Sequence, residues 1–202
     1  MTEIVTAEQC DQLADILSRG GVIGIPTDTV YGIAARCDQP DAVARLFQLK
    51  RRPGEVALPV LVASVEQIRS LGIEISERAM KLARAFWPGA LTIVISAPSD
   101  IAHRVGATES IGFRIPAHHE LLELLTRTGP LAVTSANHHG ETPCHSAQEV
   151  ALIFESENAL DAIFDAGVCS GDVSSVIDVS MEPWVIRRVG AISEEALSRA
   201  LD

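Results

Sequence analysis

The apolar runs of this chain are short, and each gives way to glycine, proline or hydroxyl residues. They include "VIGIP" (22–26), "LPVLVA" (58–63), "ALTIVI" (90–95), "IGFRIP" (111–116) and "PLAVTSAN" (130–137). Runs of this length with such boundaries read as buried strands, because an amphipathic helix needs a longer periodic pattern. None approaches the roughly 18 apolar residues of a membrane-spanning helix, so no membrane partner is expected.

Helical patterns lie between these runs. Thr6 with Gln9 at the third helical position predicts a capped helix, and Leu13, Ile16 and Leu17 carry its apolar face up to Gly20-Gly21. Pro40-Asp41 opens a second helix that ends near Lys50. Val65 to Leu71 and Glu77 to Phe86 form two more, the latter capped by Ser76. "HHELLELL" (118–125) is helical, Ser146 and Glu149 make a capping box for a helix through Phe154, and Ser193 starts the last helix. "AIFDAG" (162–167), "SSVIDVS" (174–180) and "WVIRRVG" (184–190) read as closing strands. Strands interleaved with helices, and late strands adjacent in the chain, predict a single α/β domain over residues 1–202 on a mixed parallel and antiparallel sheet.

Composition narrows the function. A net charge of −11 argues against a protein whose main task is gripping nucleic-acid phosphates. The N-terminal "MTEIVTAEQC" lacks the basic and apolar segments of a signal peptide. Cys10, Cys37, Cys144 and Cys169 lack C-x-x-C spacing, so reduced thiols and a cytoplasmic location are expected. With fourteen Arg and only two Lys, the position of each lysine carries information.

Four segments share one grammar, in which an apolar strand or helix ends and small polar or cationic residues follow. They are "PTDTVYG" (26–32), "KRRP" (50–53), "FRIP" (113–116) and "TSANHHG" (134–140). In open α/β sheets ligands gather outside strand ends, so these segments are expected to converge on a pocket. Each also has a plainer reading. Thr27, Asp28 and Thr29 suit a turn after Pro26 as well as a binding loop. Lys50, Arg51 and Arg52 either complement the negative end of their helix or neutralise a polyphosphate. Arg114, inside an apolar strand, needs an anionic partner, which is either a protein carboxylate or a substrate carboxylate. Ser135 and Asn137, two apart, either point the same way from a strand or form a turn. "HHGETPCH" (138–145) matches no zinc spacing, and Ser135 lacks the G-x-S-x-G elbow of an acyl-transfer nucleophile.

Taken in order, "PTDTVYG", the K-x-R of Lys50-Arg51-Arg52, "WPGALT" (87–92), "FRIPAH" (113–118), the S-x-N of Ser135-Ala136-Asn137, and "SSVID" (174–178) before "IRRVG" (186–190) resemble the YrdC/TsaC family. Its members are threonylcarbamoyl-AMP synthases. The resemblance implies a twisted mixed sheet with flanking helices and a concave pocket. It also implies condensation of L-threonine, bicarbonate and ATP to threonylcarbamoyl-AMP and pyrophosphate, with Mg²⁺ assisting. Separate partner proteins would then carry the group to an adenosine of tRNA. By position, Lys50 and Arg52 would hold ATP phosphates and act in catalysis, with Ser110, Ser135, Asn137 and Arg188 also on the nucleotide. Thr27, Arg114 and Ser174 would bind threonine. Ala57 and Ala90 stand where the family often has proline, and "SSV" where "STV" is commoner. Because the chain stops soon after "IRRVG", a short form without the extra C-terminal domain of longer members is expected. Two other readings are an RNA-binding module, to which tRNA or double-stranded RNA binds weakly at the Lys50–Arg52 patch, and a same-fold paralogue with a different small substrate.

Overall fold

A computed structural model describes residues 2–50, 57–138, 140–154 and 159–201. The chain opens with a strand, β1 (Glu3–Thr6), that the sequence pattern did not reveal, because only Val5 of its four residues is buried. The helix expected from Thr6 begins instead as a 3₁₀ turn (Ala7–Gln9), where the Thr6 N–H donates to Gln9 Oε1 at 3.4 Å. It continues as α1 (Cys10–Ser18), which buries Cys10, Leu13 and Leu17.

Next come β2 (Ile23–Ile25) and β3 (Gly32–Arg36), paired antiparallel with Ile25 opposite Gly32. β3 was not expected from its sequence. Its "GIAAR" has no alternating pattern because four of its five residues are buried. "PTDTVY" is therefore the loop of a hairpin. α2 (Pro40–Leu49) carries proline in its first turn and ends at Lys50. β4 shrinks from the expected 58–63 to Val60–Leu61. α3 (Val65–Ser70) and α4 (Glu77–Phe86) start at Ser64 and Ser76, whose side chains accept backbone N–H groups.

The remaining elements are β5 (Leu91–Ser96), α5 (Ser99–Ala102), β6 (Ser110–Arg114), α6 (His119–Thr128), β7 (Leu131–Ser135), α7 (Ala147–Phe154), β8 (Ala162–Asp165), β9 (Ser175–Asp178), β10 (Val185–Arg188) and α8 (Glu194–Leu201). The strands form a single sheet in the order β1-β8-β2-β3-β7-β4-β6-β5-β9-β10. β1·β8, β8·β2, β4·β6 and β5·β9 are parallel and the other pairs antiparallel, so the sheet is mixed as expected.

Two apolar clusters occupy opposite faces, as the period of two requires: Ile33 and Ala35 belong to one and Ala34 to the other. The second cluster, under α1 and α6, stops at Leu61 of β4. On that same face β6 and β5 present Ser110, Gly112, Arg114 and Thr92 instead of core residues. The site lies there.

Candidate active site

A cavity of about 150 Å³ lies over this uncovered face. Its floor comes from alternate residues of neighbouring strands: Val133 and Ser135 of β7, Pro59 and Leu61 at β4, Arg114 of β6 and Thr92 of β5. The pocket thus sits on the sheet, and strand ends supply only part of its wall. Gly32 keeps the floor low, and Gly112 leaves room for Thr92. A Cβ on Gly32 would lie 2.8 Å from Val133 Cγ1, and one on Gly112 would lie 2.9 Å from Thr92 Cγ2.

The hairpin loop closes one side. Thr27 Oγ1 donates to the Val30 carbonyl at 2.7 Å and accepts the N–H groups of Thr29 and Val30 at 3.0 and 3.2 Å. A hydroxyl has one proton, so in the 2.8 Å contact between Thr27 and Thr29 the donor is Thr29. Thr29 in turn accepts from Arg114 Nη1 at 3.1 Å. The result is a directed chain from Arg114 through Thr29 and Thr27 to the Val30 carbonyl. Turn chemistry and cavity wall are here the same residues, because Thr27 lines the cavity while its hydroxyl builds the loop.

Lys50 is 4% exposed. Its ammonium donates to the Ser135 carbonyl at 2.9 Å, to Ser135 Oγ at 2.8 Å, and to Asn137 Oδ1. Ser135 Oγ donates to Asn137 Oδ1 at 2.7 Å. The helix end and the end of β7 are joined by a cation, and Ser135 and Asn137 do point to one place. Arg52 and Arg51 lie outside the described residues.

Arg114 is 6% exposed, and burial lowers its pKa from the ordinary value, partly offset by Asp28. Its Nη2 donates to Asp28 Oδ1 at 2.6 Å and its Nε to the Gly89 carbonyl at 2.9 Å. The anionic partner within the protein is thus a carboxylate from the hairpin loop. Two of the five guanidinium N–H groups remain without a protein acceptor among the described residues, and Arg114 lines the cavity.

The opposite wall is the segment before β9. Ser174, buried, lies 3.2 Å from the Thr92 hydroxyl and accepts from Arg188 Nη2 at 3.0 Å, while Arg188 Nε donates to the Ser174 carbonyl at 2.8 Å. Close backbone approach holds both walls in place. A Cβ on Gly171 would sit 2.4 Å from the Asp28 carbonyl oxygen, and one on Gly190 would sit 2.1 Å from that of Val173.

Of the residues expected at the site, Thr27, Arg114, Ser135, Ser174 and Arg188 line the cavity, and Lys50 and Asn137 adjoin it through Ser135. Ser110 does not line it. It shares the face of Arg114, about 13 Å further along β6 by the rise per residue. Asp28, Thr29, Thr92 and Thr134 were not assigned from sequence. Thr29, Thr92 and Thr134 line the cavity, and Asp28 holds Arg114. The period-two spacing of 110, 112 and 114 was the available signal for the face of β6 from which Arg114 reaches the cavity. Nothing local linked Asp28 to a residue 86 positions away.

In the 138–145 segment, His138 Nδ1 is buried with no hydrogen-bond partner among the described residues, and its ring meets that of Phe154 in a T-shaped contact with centroids 5.6 Å apart. His145 Nδ1 pairs with the Cys169 carbonyl at 2.8 Å. Burial pushes the thiols of Cys10, Cys37, Cys144 and Cys169 upward, Cys37 to about 12 and Cys144 to about 11, so they are protonated and poor nucleophiles.

A buried lysine, two arginines and a ring of hydroxyls over a mixed α/β sheet define a pocket for a small, polar, anionic ligand. Comparison with known proteins gives the family. The sequence profile of the Sua5/YciO/YrdC family, described as telomere recombination, matches residues 15–190, and the chain belongs to that family. A threonylcarbamoyl-AMP synthase of Pyrococcus abyssi is 37% identical over 194 residues, covering 93% of this chain and 56% of its own length. One from Bacillus subtilis is 32% identical over 197 residues, covering 96% and 56%. The chain therefore spans about half the length of these relatives. Among solved structures, P. abyssi Sua5 complexed with L-threonine superposes with a TM-score of 0.91 at 32% identity, covering 100% of this chain and 61% of that one. E. coli YciO superposes at 0.86 over 98% of this chain and 100% of its own, and at 21% identity it bears on the fold alone.

Proposed function

We propose that residues 1–202 form a single cytoplasmic catalytic unit that condenses L-threonine, bicarbonate and ATP to threonylcarbamoyl-AMP and pyrophosphate, a nucleotidyl transfer. The observation that carries this reading is the cavity itself, which Arg114 lines with two donors to spare and whose Ser135 is clamped by the buried Lys50. The names of the P. abyssi and B. subtilis relatives, and the threonine complex of P. abyssi Sua5, support it.

In this reading Arg114 receives the threonine carboxylate, and Ser174 and Thr92 line the space beside it. The threonine amine attacks the bicarbonate carbon and water leaves, giving a carbamate. A carbamate oxygen attacks the α-phosphorus of ATP, and the bond to the β-phosphate breaks with release of pyrophosphate. Lys50, Arg52 and Arg188 stabilise the charge on the phosphates, and Ser110, Ser135 and Asn137 place the nucleotide. Catalysis is positioning plus electrostatics, with no covalent enzyme intermediate. No three His, Cys, Asp or Glu side chains cluster as a metal site among the described residues. Mg²⁺ bound to the nucleotide would neutralise part of the charge on its phosphates. The product goes to separate tRNA-modifying partner proteins.

The test is pyrophosphate release from ATP and Mg²⁺ with threonine and bicarbonate each present or omitted. Release that needs both, and falls in Lys50→Ala, is expected. Release independent of threonine, or none from folded protein that binds ATP, would overturn the reading.

A further inference from the structure

Arg114 is held from three sides. Gly89 carbonyl takes Nε, Thr29 Oγ1 takes one proton of Nη1, and Asp28 Oδ1 takes one proton of Nη2. Only the Asp28 contact carries charge, and it is also the shortest, at 2.6 Å between side chains that are 7% and 15% exposed. Gly171 packs directly on the Asp28 carbonyl and backs the loop that bears Asp28. A long arginine side chain has many rotamers, and a buried guanidinium without a counter-charge is strongly disfavoured. With Asp28 in place one arrangement is selected, and it leaves one proton on each terminal nitrogen for a ligand. Two such protons match the two oxygens of a carboxylate.

We infer that Asp28 is a positioning residue that fixes Arg114 as a receptor for a ligand carboxylate, and that the site's preference for an amino acid over its uncharged-carboxyl analogues depends on it. The inference rests on the threonine reading of the cavity. It distinguishes two physical roles for a carboxylate beside an arginine. A competitor would repel the ligand's carboxylate, and its removal would tighten binding. A positioner gives up some of the arginine's charge to fix its orientation, and its removal loosens binding selectively for ligands that use the carboxylate.

The experiment is calorimetric binding of L-threonine and L-threoninamide, which lacks the carboxylate, to the full chain and to Asp28→Ala and Asp28→Asn. The wild-type chain is expected to prefer threonine. Asp28→Ala is expected to lose threonine affinity by about 10-fold or more, because an arginine freed among its rotamers must be ordered again on binding, with little change for threoninamide. Asp28→Asn keeps an oxygen acceptor for Nη2 at the same place, so it recovers part of the preference, and being isosteric it carries the test if the alanine variant does not fold. Unchanged or tighter threonine binding in either variant makes Asp28 a competitor or a bystander and overturns the inference. Equal losses for both ligands also overturn it, since they mean a general disturbance of the loop. A wild-type chain that binds neither ligand overturns the threonine reading and this inference with it.

Discussion

Lys50→Met separates what the buried lysine does for the fold from what it does for the reaction. Counted naively, three charge-assisted hydrogen bonds at about 1.5–3 kcal/mol each would make the substitution ruinous. The network shows otherwise. The Ser135 carbonyl also accepts the Asn137 N–H at 3.0 Å, and Asn137 Oδ1 also accepts the Ser135 hydroxyl at 2.7 Å. Removing the ammonium therefore strands neither of these acceptors, and it relieves the desolvation of a 4% exposed cation. Methionine fills similar space. Counting these described partners alone, the net change in stability is expected to be within about 1 kcal/mol, or a melting shift of about 2–4 °C for a chain of this size. The reaction loses a preorganised cation at the phosphates, for which a fall in turnover of about 10²–10³-fold is expected. Thermal denaturation of the two proteins, with pyrophosphate release measured on the same samples, reads both quantities. A melting point lowered by more than about 10 °C would mean that Lys50 is a structural keystone and the accounting of its acceptors is wrong. Activity within a few-fold of wild type would remove Lys50 from the mechanism.

Two further perturbations probe the walls. Gly171→Ala places a methyl against the backbone of the hairpin loop, 2.4 Å from the Asp28 carbonyl and 3.0 Å from Thr29 Cα, so it should cost about 1–3 kcal/mol and weaken threonine binding. A melting point within 1 °C of wild type, on the order of a small fraction of that cost, would show that the two segments are free to separate. His118 caps α6 by accepting the Leu121 N–H, and burial, outweighing the Glu120 and Asp28 carboxylates, lowers its pKa from 6.5. The unfolded imidazole takes up its proton first, so stability is lost as pH falls below 6.5 toward the folded value. His118→Asn keeps a capping side chain without the titration, and urea midpoints at about pH 7.5 and 5.5 should differ less in the variant than in wild type. An equal pH difference in both would assign the acid sensitivity elsewhere.

The features legible in the sequence are those with local causes. Ser64 and Ser76 cap helices because a hydroxyl before an apolar period can accept an N–H three residues on. Most short aliphatic runs became strands; Arg114 and Ser135 stood out as polar groups on apolar strands and Lys50 as a rare lysine at a helix end, while Ser174 was marked only by the family resemblance. Local pattern misled where burial on both faces or exposure on one erased the alternation, as in β3 and β1. It also placed the pocket outside strand ends, whereas the tertiary structure puts it on the sheet face where the apolar cluster under α1 and α6 stops at β4. Only the fold decided that Asp28 answers Arg114 across 86 residues and that Lys50 meets Ser135 and Asn137 across 85 and 87. Capping and side-chain periodicity act over a few residues and leave their mark in sequence order. The pairing of buried charges is set by which strands become neighbours in the sheet, and a single sequence does not write that order along its length.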